Sequence, residues 1–225
     1  MEQISDYRNS LNLIYELNEK IKETSYYWVQ KWIQNNMPKY NESFLDSVSQ
    51  GQYDSKKWLK DEFIKIKKYL KRYEPLHIDI IGSWFGFPLI EFVSEIFKIK
   101  QIDLYDSNED CHKIMAQYIK HYDYDFKIVQ FGNFFDRKEL RRRHLIINTS
   151  SEHMSDIILM KEYYKDYPEK PIIVIQSNNY YEIQDHVNCV SSENQLIDKN
   201  HLKEIYFAGK QSLPLYDRYM VLGRW

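Results

Sequence analysis

Glycine and proline are scarce, six of each in 225 residues. So few chain-breakers leave no room for long flexible linkers or low-complexity tails. Cysteine is scarcer still. Cys111 and Cys189 match no zinc spacing and no Cys-x-x-Cys motif, so no metal ligand set is read from the sequence. No apolar run approaches the ~18 residues of a membrane span, and no membrane association is expected. The opening Met-Glu-Gln lacks the apolar segment of a signal peptide, so a cytoplasmic location is the expectation. An excess of one charge is also missing. Lys and Arg total 31 against 33 Asp and Glu, a net charge of −2, so no global field draws in nucleic acid.

What is present fits a soluble globular chain: 43% hydrophobic, 28% charged, and 16% aromatic, mostly from 20 tyrosines. The length suffices for one sizeable core, or one core with a smaller appendage. Two basic runs stand out. Lys65–Arg72 reads as the solvated face of a helix. Arg141–Arg143, just before an apolar run, reads as a surface loop end or a contact for an anionic substrate.

Residues 1–73 read as helices. Leu11, Ile14, Leu17 and Ile21 recur at helical steps. Trp28, Val29, Trp32 and Ile33 continue the pattern until Met37-Pro38 breaks it. The polar stretch Asn41–Tyr53 is irregular or a short helix. Asp54 and Ser55 then offer an N-cap to a helix facing Leu59, Phe63, Ile66 and Leu70 inward. After Pro75 the pattern changes to short apolar runs alternating with helical segments. Strands are expected at His77–Ile81, Gln101–Tyr105, Lys127–Phe131, Leu145–Asn148, Pro171–Gln176, Glu204–Ala208 and Arg218–Leu222. Ser107 and Asp110 form a capping signal for the helix through Ile119, and Ser155 opens a helix to Tyr164. Such alternation predicts a mostly parallel sheet covered on both faces. The last two strands lack a helix between them and are predicted to pair antiparallel.

In open parallel sheets ligands bind beyond the carboxyl ends of the strands, where strand order reverses. The first strand here runs into Gly82-Ser83-Trp84-Phe85-Gly86, with Pro88 near the start of the next helix. Glycines let the backbone approach a ligand and adopt positive φ, although a two-glycine turn also occurs for purely structural reasons. About 24 residues after Gly82, the second strand ends in Asp106. A carboxylate there can accept from both ribose hydroxyls of an adenosine, or serve only as the acid of a helix N-terminus.

These segments, with Gln130–Phe134 and Leu145–His153, fall in the order and spacing of class I S-adenosylmethionine-dependent methyltransferases, which the chain resembles over roughly residues 76–225. It also resembles small methyltransferase-like proteins encoded by bacteriophages. The resemblance implies a Rossmann-like α/β fold with seven strands, the last antiparallel, over residues 74–225. A helical region, residues 1–73, would precede it as lid, substrate-recognition element or dimerisation surface. It implies S-adenosylmethionine as cofactor. Gly82, Ser83, Trp84 and Gly86 would form the glycine turn and Asp106 the ribose acid. Asn133 and Phe134 would form the adenine wall, with Thr149 and Ser150 in the fourth-strand motif. Trp84 stands where the family has a central glycine, and Ile80 where it has an acid.

The loop after the fourth strand crowds Asn148, Glu152 and His153 onto the same expected edge. His153 is a candidate base, Glu152 its orienter or a cation binder, and Asn148 an amide for substrate or cofactor. Solvated loops are often polar as well. Thr149-Ser150 replace the prolines of the members that methylate base amines. Asn178, Asn179, Tyr180 and His186 are read as substrate wall. The leading expectation is methyl transfer to a small molecule or side chain. The alternatives are another reaction on S-adenosylmethionine, or a binding module on a degenerate fold. Trp28, Trp32 and Trp58 serve either core packing or a partner surface such as a homodimer.

Overall fold

The β-branched runs form strands because Ile and Val pack well on a pleated surface shielded from water. The computed structural model describes residues 25–120, 122–136 and 142–225. The predicted helix on Leu11–Ile21 lies outside them. Helices α1 (Ser25–Asn36), α2 (Asn41–Ser47) and α3 (Gln50–Leu70) precede strand β1 (Leu76–Ile81). Then follow α4 (Leu89–Ile96), β2 (Ile99–Tyr105), α5 (Glu109–Ile119), β3 (Lys127–Phe131), β4 (Leu145–Asn148), β5 (Ile172–Asn178), α6 (Glu193–Asn200), β6 (Glu204–Ser212) and β7 (Asp217–Arg224). Among the described residues no helix is long and apolar enough to cross a membrane.

Two compact units divide the chain. One contains the described part of Met1–Lys60, with Trp84–Glu95 and Asn108–Asp125. Its core joins Val29 and Ile33 of α1, Phe44 and Leu45 of α2, Phe85, Phe87, and Cys111, Ile114 and Tyr118 of α5. Trp32 packs on this cluster, whereas Trp28 is 51% exposed. The helix α5 is capped by Asn108, whose side chain accepts from the Asp110 amide, rather than by Ser107. Asp110 turns instead to Lys113, Tyr40 and Lys39. Those donors hold its carboxyl well below the usual carboxylate range.

The other unit contains Asp61–Ser83, Ile96–Ser107 and Phe126–Trp225. It holds one seven-stranded sheet in the order β3-β2-β1-β4-β5-β7-β6. The first five strands run parallel, and β7 is antiparallel to both β5 and β6, as the missing last helix predicted. Strands β4 and β5 are buried at every position, the pattern of a sheet shielded on both faces. On one face Ile146, Ile173, Ile175, Tyr219 and Val221 pack on Ile157, Met160, Tyr164, Leu196 and Leu202.

Strand ends differ from the sequence reading by up to four residues, and three larger departures stand out. The helix α3 starts at Gln50, before Asp54 and Ser55, so those residues lie inside it. Ile157–Tyr164 is a 3-10 helix that Ser155 does not cap. Its end is closed by Lys170, whose ammonium donates to the carbonyls of Tyr164, Lys165 and Tyr167. Arg143 is not a surface residue. It is buried between Asp79 of β1 and Asp103 of β2, which stand opposite each other in the β1–β2 register. Burial alone would lower its pKa, but the two carboxylates outweigh that and raise it.

His144 follows Arg143 and starts the β4 ladder. Its N–H donates to the His77 carbonyl, and its Nδ1 accepts from the His77 N–H at 2.9 Å. Burial, then the Arg142 charge, lowers its pKa from 6.5 to about 4. Protonation would set one donor against another. Because the folded pKa lies below the unfolded one, this contribution is full above pH 6.5 and is lost as pH falls towards 4. We expect the unfolding free energy to drop more steeply across that window in the wild type than in His144→Asn, whose amide oxygen can accept the same N–H. Denaturant unfolding at several pH values measures this, and equal slopes would contradict it.

Candidate functional site

The strand register sets the site. Ile81 of β1 pairs with Tyr105 of β2 and Asn148 of β4, and Tyr105 pairs with Phe131 of β3. Four strands therefore end level, and the next residues Gly82, Asp106, Gly132 and Thr149 form one rim. Strand order reverses between β1 and β4, the place where open α/β sheets leave a crevice. The rim is tied together by the backbone. Ser83 N–H donates to the Tyr105 carbonyl at 3.0 Å, and Asp106 N–H donates to the Phe131 carbonyl at 3.2 Å.

Gly82 has φ of +61°, and a Cβ there would meet Met154 Cε at 2.7 Å and Ser150 Cβ at 3.3 Å. The first glycine thus serves close approach to the loop after β4. Ser83 is buried, and its Oγ has no hydrogen-bond partner. The rest of the predicted turn belongs to the other unit. There Trp84 adopts φ of 48°, and its ring stacks on Phe85 at 5.1 Å. Gly86, at φ +77°, leaves room for Ile90, whose N–H returns to the Gly86 carbonyl. That amide therefore closes the turn itself.

The third strand places its two predicted residues differently. Asn133 is exposed, but its Oδ1 accepts from the Phe135 N–H at 3.1 Å. Phe134 is buried in the core, edge-on to Tyr105. The exposed ring on this edge is Phe131, stacked on Tyr105 at 5.1 Å.

After β4 the polar side chains mostly serve their own loop. Asn148 Oδ1 accepts from the Ser150 N–H at 3.0 Å, and its Nδ2 contacts Met154 Sδ at 3.3 Å. The Thr149 carbonyl lies 3.4 Å from Arg218 Nη1. Glu152 is buried, and Asn178 Nδ2 donates to its Oε1 at 2.8 Å. Arg218 Nη2 lies 3.6 Å from the same oxygen. The Glu152 Oε2 is buried without a hydrogen-bond partner. His153 is exposed, with Nδ1 3.2 Å from the Asp185 carbonyl.

The loop after β5 comes back to this point. Asn179 binds the backbone of Asp217, and Tyr180 stacks on Tyr216 at 5.3 Å. His186 Nδ1 lies 2.7 Å from the Tyr180 carbonyl, and its ring meets that of His153 edge-on at 4.6 Å. Cys189 is 3.7 Å from His186 Nδ1. Burial, then the Glu152 charge, raises its thiol pKa, so it stays protonated near neutrality. Catalytic and substrate-wall candidates therefore meet at Glu152, His153, Asn178 and His186.

Sequence reading missed Arg218, Met154 and Cys189. Only Arg218 left a signal, a charge opening an apolar strand, which must find a counter-charge once buried.

No protein-family model and no curated protein sequence matches the chain. Among solved structures it is similar to a protein from Galdieria sulphuraria provisionally named a sarcosine dimethylglycine methyltransferase. That match has TM-score 0.58 and 11% identity over 77% of this chain and 86% of that one. It is similar to the N-methyltransferase NodS from Bradyrhizobium japonicum WM9, with TM-score 0.55 and 12% identity over 75% and 94%. It is also similar to magnesium protoporphyrin IX methyltransferase (ChlM) from Synechocystis PCC 6803 with S-adenosylhomocysteine bound, with TM-score 0.51 and 10% identity over 74% and 83%. At these identities the likeness is one of fold: the chain has the Rossmann-like methyltransferase fold.

The close contact at Gly82 is testable. Gly82→Ala is expected to lower the unfolding free energy by about 1–2 kcal/mol, because a side chain at this φ is strained. Gly51→Ala, at a helical position with no atom within 4 Å of the new Cβ, should stabilise by about 0.5–1 kcal/mol. Urea unfolding of both variants measures this, and a neutral Gly82→Ala would contradict it.

Proposed function

We propose that the chain is an S-adenosylmethionine-dependent methyltransferase acting on a small molecule or a side chain. The observation that carries this reading is the level row of strand ends at the reversal point, with Asp106 one step from the glycine turn. The similar solved structures support it, since one of them holds S-adenosylhomocysteine.

The residues present fit such a ligand. The unpartnered Ser83 hydroxyl is a buried polar group in want of a partner, while the space beside Gly82 is taken by Met154 and Ser150. Asp106 would hold the ribose hydroxyls, and the exposed Phe131 joins Asn133 as adenine wall in place of the buried Phe134. Ser150, against Gly82, would border the methionine arm. The cofactor supplies an electrophilic methyl group, so the protein's task is positioning and exclusion of water. The Asp185 carbonyl accepts from Nδ1–H of His153, which leaves Nε2 as the basic atom for an acceptor that must lose a proton. Asn178 holds Glu152 in place beside it.

A second reading keeps the fold and the cofactor but changes the reaction. It is favoured by Trp84, a ring at positive φ where the family has glycine. Mass spectrometry of the products separates the two, since methylthioadenosine in place of S-adenosylhomocysteine belongs to the second reading alone.

Isothermal titration with S-adenosylhomocysteine tests the binding site. The wild type is expected to bind. Asp106→Ala should bind at least about tenfold more weakly, as loss of charge-assisted hydrogen bonds removes about 1.5–3 kcal/mol. Absence of wild-type binding at millimolar ligand, or an unaltered affinity in the variant, would overturn the assignment.

A further inference from the structure

Glu152, His153 and His186 bring one ligand atom each within 4.8 Å of one another. The first two come from the 3-10 turn Ser151–His153 after β4, the third from the loop after β5. Proximity of three such groups is common on surfaces, but here the donors are prepared for a cation in two further ways.

The first is the carboxylate. The Glu152 side chain is 4% exposed, and only one of its oxygens is used. Oε1 accepts from Asn178 and faces the Arg218 guanidinium, while Oε2 is buried with no hydrogen-bond partner. A buried carboxylate oxygen without a donor is unfavourable unless a cation completes it. Arg218 offsets part of the charge, but on the other oxygen.

The second is the pair of imidazoles. His153 Nδ1 faces the Asp185 carbonyl at 3.2 Å, and His186 Nδ1 faces the Tyr180 carbonyl at 2.7 Å. A carbonyl only accepts, so each neutral ring carries its proton on Nδ1 and its lone pair on Nε2. Metal-binding histidines show this arrangement, in which a backbone carbonyl fixes the tautomer and raises the basicity of the ligating nitrogen.

We propose that Glu152 Oε2, His153 Nε2 and His186 Nε2 form a site for a divalent transition-metal cation of the zinc class. Two imidazoles and one carboxylate suit zinc, cobalt or nickel, whereas magnesium and calcium prefer all-oxygen sites. Three protein ligands leave a coordination position for water or substrate. Metal–ligand distances of ~2.0–2.2 Å in a tetrahedral site put ligand atoms about 3.3–3.6 Å apart, so the cluster, now within 4.8 Å, contracts by up to about 1.3 Å on binding. His153, exposed on the loop, supplies that movement. Cys189 stays outside the set, because its sulfur lies on the Nδ1 side of His186. The site does not rest on the methyl-transfer reading, and its test needs no S-adenosylmethionine; with a cation on His153 Nε2 that atom is not a base, so the two roles of His153 are alternatives.

The full chain, stripped with chelator and dialysed, is titrated with Zn²⁺ by calorimetry and with Co²⁺ by visible absorption. The expected result is one Zn²⁺ per chain, and Co²⁺ bands without a thiolate charge-transfer band. His153→Ala and His186→Ala should each weaken Zn²⁺ binding by more than about tenfold, since even an outer partner of a ligand is worth that much. Cys189→Ser should leave the affinity unchanged. Circular dichroism confirms that the variants fold, and the exposed His153 is the variant least tied to folding. No Zn²⁺ bound by the wild type, undiminished binding in either histidine variant, or loss of binding in Cys189→Ser would each overturn the proposal.

Discussion

A single buried arginine compensates two carboxylates that would otherwise be incompatible with the sheet. Asp79 and Asp103 face each other across β1 and β2, both shielded from water, and Arg143 reaches both. Gln101 adds a donor to Asp103. Two like charges so placed would repel strongly at low dielectric. Arg143 removes that conflict, and its planar fork suits two separate carboxylates better than a lysine would. It also lies two residues before β4, so the same contact fixes where β4 enters beside β1. The register that follows brings Ile81, Tyr105, Phe131 and Asn148 to one level. The charge pairing sits two residues below the rim, in the same register that levels the strand ends.

Much of this was legible in the sequence. Strands β3 and β4 fall where their apolar runs predicted, and the antiparallel β6–β7 pair follows from the missing helix between them. Asp106 was legible because its position relative to Gly82 reflects one strand–helix–strand unit. Less legible were features in which a polar side chain bonds its own backbone. Asn108, Asn133, Asn148 and Asn178 each accept from an amide two residues on, and nothing in composition separates such a turn former from a ligand contact. The cluster of Asp79, Asp103 and Arg143 left a trace, an acid in the middle of each of two apolar strands and three arginines before a third. Pairing them required knowing that β1 lies between β2 and β4.

The site itself follows the same division. Gly82, Ser83 and Asp106 are fixed by strand ends, which periodicity reveals. His186 reaches Glu152 and His153 through a loop of turns with no regular pattern, and its convergence on them appears only in three dimensions. Phe134 illustrates the opposite case. An aromatic after a third-strand glycine looks like an adenine wall, yet burial against Tyr105 gained more here than exposure at the rim. At this edge the Ser83 hydroxyl and one oxygen of Glu152 are buried without a hydrogen-bond partner, and the rings of Phe131 and His153 are exposed.

The dependence of the sheet on Arg143 is measured most directly by the unfolding free energy of charge-removal variants in urea. Arg143→Ala alone should lose about 3–5 kcal/mol, because it strands two buried carboxylates. Replacing Arg143, Asp79 and Asp103 together by apolar residues of similar size should recover most of that loss. A loss below about 1 kcal/mol in Arg143→Ala, the ordinary value of an exposed ion pair, would contradict the central place given to this contact.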